Sequence, residues 1–142
     1  MSKVPVNLET SKGTGVLHNQ VIRANGLVYC SGQIPADLVT GDIVDGDIKQ
    51  HTHQCIQNLK AVLEAAGSSL EKVVKVNVFI IDMKNFALMN EVYTQYWGEV
   101  KPMHWGTEFT TWSGCGNRMY GVGGEGVSII EYLEIYIMLW KP

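Results

Sequence analysis

Four histidines, three cysteines and scattered carboxylates are the residues of this 142-residue chain able to ligate a metal, attack an electrophile or move a proton. His51 and His53 tempt a metal reading, but residues two apart on a helix point away from each other, so both are expected on the solvated surface. His18 and His104 with Glu134 would supply two imidazoles and a carboxylate, the donor set of a non-haem iron site. Cys30, next to Ser31 in a strand, reads as a small core residue, and no histidine near it in sequence offers a base. Cys115 lies between glycines and reads as an exposed, idle thiol. With Cys55 the count is odd and no CxxC spacing occurs, so neither a disulfide nor a zinc framework is indicated. Gly123-Gly124-Glu125-Gly126 lacks the Lys-Ser/Thr that a phosphate loop needs.

The elements that must position these groups follow from spacing. After a polar start over 1–13, Leu17 to Arg23 and Leu27 to Gln33 read as two strands joined by Ala24-Asn25-Gly26, whose Asn-Gly pair tolerates the positive φ of a tight hairpin. Pro35 to Gly46 reads as a loop turning at Thr40-Gly41. Asp47 and Gln50 form a capping box for a helix whose apolar face is Ile48, Cys55, Ile56, Leu59, Val62 and Leu63, with Gly67 as its stop. Ser68 and Glu71 suggest a second capping box on a short turn. In Val73 to Ile81, Val74, Val76, Val78 and Ile80 fall on one face and Lys75, Asn77 and Phe79 on the other, the alternation of a strand. Asp82 caps a second helix with the face Phe86, Met89, Tyr93 and Trp97, ended by Gly98. Beyond Met103 the texture changes. His104 to Trp112 and Val127 to Leu139 read as strands, and Ser113 to Gly126 between them is too Gly-rich to be regular. The order suits one domain over 1–142 with both helices on one face of a sheet.

Composition narrows the partners. Eleven basic and fourteen acidic residues give a net charge of −3 with no single-sign cluster, whereas a nucleic-acid partner demands a basic stripe. The most apolar run, Val127 to Trp140, carries Glu131 and Glu134 and is too short to span a bilayer. The start has neither the apolar core of a secretory signal nor the arginines of a transit peptide. No nucleic acid, no membrane and a cytoplasmic location are expected, with a mitochondrial one left open.

Several segments resemble the RidA (YjgF) family. They are Ser31-Gly32-Gln33-Ile34-Pro35 after a strand, the helix and turn from Asn58 to Leu70, the strand Val73 to Phe79, the helix Phe86 to Tyr93 with Asn90, and Lys101-Pro102. The likeness runs from about Val21 to Pro102. It implies an α+β, chorismate-mutase-like fold of order β-β-α-β-α-β-β, a homotrimer, and clefts between subunits. It further implies hydrolysis of small enamines and imines such as 2-aminoacrylate to 2-keto acids and ammonia, with no metal or organic cofactor. In that family an arginine clamps the substrate carboxylate, and a tyrosine, a backbone carbonyl and a glutamate-held water complete the site. The chemistry suits these types: an imine is already electrophilic, so the protein mainly orients a water and a small acid, and an arginine fork makes two parallel charged hydrogen bonds to a carboxylate.

This sequence departs from the pattern at the clamp. His104 stands where the resemblance places the arginine, and His18 where it places the tyrosine. Losing a charged hydrogen bond of about 1.5–3 kcal/mol lowers kcat/KM for a 2-imino acid roughly ten- to a hundred-and-fifty-fold. Counting back from Pro142 puts the water-holding carboxylate at Glu134, with Glu131 the competitor if the register slips. Arg118, in the insertion over 113–126, is the residue that would replace the clamp by folding back. The resulting site is Glu134 and His104 as catalytic groups, with His18, Ser31, Gly32, Gln33, Ile34, Asn90 and Arg118 around the ligand. A helix asparagine such as Asn90 also serves, more plainly, to satisfy a buried backbone group. Three readings follow: an imine deaminase acting on 2-imino acids, a non-catalytic binder of small 2-keto acids, and a ribonuclease or translation inhibitor, which the acidic balance disfavours.

Overall fold

A computed structural model describes residues 2–9, 18–108 and 133–140. Its strands are β1 (Val4–Val6), β2 (Val21–Ala24), β3 (Leu27–Gln33), β4 (Val73–Ile80), β5 (Met103–Glu108) and β6 (Leu133–Trp140). The helices are α1 (Ile48–Ala65) between β3 and β4, and α2 (Phe86–Tyr93) between β4 and β5. The sheet order is β1-β2-β3-β6-β4-β5, antiparallel except for the parallel β4–β5 pair. Since β6 is antiparallel to both β3 and β4, those two strands run parallel. The segments β3-α1-β4 and β4-α2-β5 therefore both cross over in the same sense. Parallel crossovers share one hand, so both helices land on one face, as the sequence implied.

Local chemistry sets the boundaries. Asn25 (φ 50°) and Gly26 (φ 73°) both lie in the left-handed region and close the β2–β3 hairpin. Asp47 accepts from the amides of Lys49 and Gln50 while Gln50 reaches back to the Asp47 amide, which completes the expected capping box. Gly67 (φ 75°) ends α1. The apolar face of α1 is fully buried against the sheet together with Val28, Val76, Val78 and Met89.

Five expectations are corrected. The polar start is not featureless: β1 pairs Val4 with Arg23 and Val6 with Val21, adding a sixth strand. Val74 does not share the buried face. Between Val73 and Lys75 the register with β6 advances two residues against one, a bulge that turns Val74 out, half-exposed, and brings Val73 in. Ser69, not Ser68, precedes the short turn Leu70–Lys72, and its side chain makes no cap hydrogen bond. Asp82 caps the single turn Met83–Asn85 that leads into α2, and α2 stops at Tyr93, before a further turn Thr94–Tyr96 and well ahead of Gly98. His51 is 1% exposed, with Nε2 3.0 Å from the Val44 carbonyl oxygen, because it sits one turn from Ile48 and from Cys55 on the buried stripe. His53 is the exposed one of the pair, as expected.

Candidate functional site

The Ser31–Ile34 segment is shaped by a second bulge. Cys30 pairs with Ile137 and Gln33 with Ile135, so β3 carries one residue more than β6 across Ser31-Gly32. Bulges of this kind detach backbone from the ladder and re-aim it. The Ser31 amide turns to the Gln20 carbonyl (2.8 Å), its hydroxyl donates to the Asn19 carbonyl (2.7 Å), and Gln33 Nε2 donates to the Ser31 carbonyl (2.9 Å). Asn19 and Gln20 are held in turn by β1's neighbours. The Leu8 amide donates to Gln20 Oε1 at 2.6 Å, and the Gln20 amide to Asn7 Oδ1 at 2.7 Å. Half-buried His18 precedes Asn19 directly, so the same polar seam carries it.

What fixes the loop beyond is a residue the sequence reading did not single out. Asn58 is 2% exposed, and its Nδ2 donates to the carbonyls of Ile34 (3.0 Å) and Ala36 (2.7 Å). Gln54 Nε2 donates to Asn58 Oδ1 (2.8 Å), which settles the orientation of the amide. The signal was present: an asparagine set among Cys55, Leu59 and Val62 on an apolar stripe must find partners when buried. The loop then closes on itself through Asp37, whose carboxylate accepts from the amides of Thr40 and Val39 and is held below the usual range by those bonds.

His104 occupies a different neighbourhood. In the parallel register it pairs with Val76, whose side chain is buried under the helices, and its ring packs against α2. Its centroid lies 4.7 Å from Tyr93 and 6.0 Å from Phe86. Gly106, on the same face, leaves room for Phe86: a Cβ there would come within 2.6 Å of that ring. Burial lowers the His104 pKa, so the imidazole is neutral at pH 7. Neither ring nitrogen has a hydrogen-bond partner among the described residues. Half-buried Asn90 falls between Phe86 and Tyr93 at helical spacing and borders this group; its carbonyl accepts from Thr94 Oγ1 (2.9 Å).

Two groups thus form within one copy. Ile135 pairs with both Gln33 and Val78, so the backbone of Glu134, opposite Phe79, lies at the end of the sheet where Ser31–Ile34 is held. His104 and Asn90 form the other group, beyond β4. Three residues along and two strands across separate His104 from Glu134 by about 14 Å of backbone. Arg118, Glu131 and Cys115 lie outside the described residues. Cys30 is buried, which pushes its thiol up to about 12 and makes it inert, as its strand position suggested. Among the described residues no group of three His, Cys, Asp or Glu is placed to hold a metal, and no helix is long and apolar enough to cross a membrane.

Residues 14–109 match the family model described as endoribonuclease L-PSP. The chain is 54% identical over 85 residues to the RutC family protein PH0854 of Pyrococcus horikoshii, covering 60% of this chain and 68% of that protein. It is 46% identical over 101 residues to the mitochondrial protein mmf1 of Schizosaccharomyces pombe, covering 71% of this chain and 60% of mmf1's length. Among solved structures, E. coli TdcF with bound serine superposes with a TM-score of 0.77 at 25% identity, over 98% of this chain and 99% of that one.

Proposed function

Because the chain belongs to the endoribonuclease L-PSP family, the family of RidA and YjgF, we propose that it hydrolyses small reactive enamines and imines to keto acids and ammonia. The observation that carries this reading is the Ser31–Ile34 bulge. Gln20 on one side and buried Asn58 on the other hold its backbone rigid, beside the register position of Glu134. A backbone turned out of the ladder and fixed there offers amides and carbonyls to a ligand at no reorganisation cost.

The reaction asks little more of the protein. An enamine such as 2-aminoacrylate tautomerises to the imine; water adds to the C=N carbon, its proton passing to nitrogen; the carbinolamine then collapses to C=O and releases NH3. Glu134 holds and polarises the water. His104, with Asn90 beside it, or else Arg118 takes the substrate carboxylate in this proposal, and His18 lies on the seam behind Ser31. The imine is electrophilic without a metal or organic cofactor. Serine in TdcF, a small molecule bearing an amine and a carboxylate, supports a ligand of this size and polarity.

Some 14 Å of backbone, with His104 in register with Val76 and Glu134 with Phe79 on alternate faces of β4, keeps one small imine from meeting both groups within one copy, so in this proposal they come from different copies. Self-association is supported by the sheet face opposite the helices. There Trp105 (55% exposed) stacks edge-on against Phe79 and Met103 is 63% exposed, an apolar surface that assembly would cover. A homotrimer is the assembly we propose, in the cytoplasm or, as for mmf1, in mitochondria. The test is ammonia release from freshly generated 2-aminoacrylate. Release well above buffer, lost in Glu134→Gln, is expected; a rate equal to buffer alone ends the proposal.

One observation favours a second reading. The packing of His104 under α2 leaves no cation at that position among the described residues, and a scaffold that binds 2-keto acids without turning them over would look the same. In that case His104→Arg creates a hydrolysis the parent lacks. A ribonuclease activity finds no support in a chain of net charge −3.

A further inference from the structure

We infer that the junction of α2 and β5 selects an uncharged carbonyl or imine compound, such as an amide, ester or ketone, over a carboxylate. The inference rests on the reading above that this junction meets the ligand, and it ranks uncharged imines and carbonyl compounds ahead of the 2-imino and 2-keto acids.

Three side chains, Trp97 and His104 each packed on Tyr93, carry it. Tyr93 and Trp97 are each more than nine-tenths buried, with ring centroids 5.1 Å apart, and Tyr93 lies 4.7 Å from His104. The Tyr93 hydroxyl, Trp97 Nε1 and both His104 ring nitrogens are buried without a hydrogen-bond partner among the described residues. Buried polar atoms in native proteins are nearly all partnered, so four such atoms in one packed group point to a shared partner.

The partner's chemistry follows from what these atoms offer. Trp97 Nε1 only donates, the tyrosine hydroxyl donates and accepts, and a neutral imidazole does one of each. None of them is charged at pH 7. Burial alone lowers the histidine and raises the tyrosine, with no charged neighbour contributing to either shift. A mixed donor–acceptor group, C=O or C=NH flanked by NH2 or a hydrocarbon, matches that set. A carboxylate would have to shed its water into a place that holds no cation among the described residues, against Phe86 and the Tyr93 ring. The Phe86 wall is fixed, because Gly106 opposite it is the only residue type that admits the ring at that distance. His104 keeps part of its surface exposed.

Pyruvamide and pyruvate are the probes, equal in size and differing in charge, with binding to the full-length protein measured by calorimetry at pH 7.5. Pyruvamide is expected to bind at least about ten-fold more tightly. His104→Arg reverses the order, and Trp97→Phe, which keeps the ring and removes its N–H, weakens pyruvamide while leaving pyruvate unchanged. Circular dichroism identifies any variant that fails to fold, and the wild-type comparison stands without one. Pyruvate binding as tightly as pyruvamide, or neither compound binding, overturns the inference. Hydrolysis of 2-aminoacrylate together with a preference for pyruvate removes this inference alone. Pyruvamide preference without any ammonia release removes the hydrolysis and leaves the charge selection standing.

Discussion

Replacing Asn58 with alanine isolates the device that holds the Ser31–Ala36 backbone. Asn58 Nδ2 is the partner of the Ile34 carbonyl at 3.0 Å and of the Ala36 carbonyl at 2.7 Å, from a position 2% exposed. A buried polar group left unsatisfied costs roughly 1–3 kcal/mol. Both carbonyls keep a second partner, since Ile34 also accepts from the Ala36 amide at 2.8 Å and Ala36 retains a long bond of 3.4 Å from Gln54 Nε2. The expected loss is therefore about 1–3 kcal/mol. For a chain of this length each kcal/mol moves Tm by roughly 3–5 °C, so a fall of about 3–15 °C is expected in thermal circular dichroism at fixed protein concentration. Asn58→Asp should cost more, because it removes the donors and sets a charge against two carbonyl oxygens. Activity should fall with stability held constant, as measured well below the lowered Tm, because the loop backbone is no longer fixed. A Tm within 2 °C of wild type would refute the assignment of Asn58 as the loop's anchor.

Three further outcomes are expected. Gly106→Ala drives a Cβ to within 2.6 Å of Phe86 and should cost about 1–3 kcal/mol in urea unfolding; Phe86→Leu in the same chain should recover most of it, and strict additivity of the two changes would deny the contact. His104 has its pKa lowered by burial, so the unfolded chain takes up its proton more readily than the native one. The contribution is complete above the ordinary value near 6.5 and is lost as pH falls through that value towards the lowered one. The unfolding free energy of wild type should fall relative to that of His104→Phe as pH goes from 8 to 5, and parallel curves would contradict it. Cys30 and Cys55, both buried, should resist a thiol reagent in native Cys115→Ser protein and react fully once it is unfolded; a fast native phase would contradict their burial.

Local signals were legible in the sequence and non-local ones were not. The Asp47–Gln50 capping box, the Asn25-Gly26 turn and the stripe from Ile48 to Leu63 each depend on residues within a few positions, so spacing alone located them. The turning out of Val74 depends on where β6 steps past β4, a fact held by the partner strand. β1 is only three residues long and exists through its pairing with β2, and no periodicity marks a strand that short. His51 was misplaced because the argument that it and His53 diverge says nothing about which of them faces inward. At the site, the family resemblance carries Ser31–Ile34, but nothing in the spacing of α1 sets its anchor Asn58 apart from the helix's other polar residues as the holder of the Ile34 and Ala36 carbonyls. The position of His104 was legible; its burial between Phe86 and Tyr93 required the parallel register of β4 and β5.

A site completed between copies is tested most directly by following mass and activity on one dilution series. Light scattering should give about 47 kDa, three times the 15.8 kDa subunit, at micromolar concentration. Ammonia release per subunit should fall in step with that mass as the assembly dissociates. Full activity from a species of 15.8 kDa would contradict the proposal, because one copy holds its His104 and Glu134 too far apart to share a substrate.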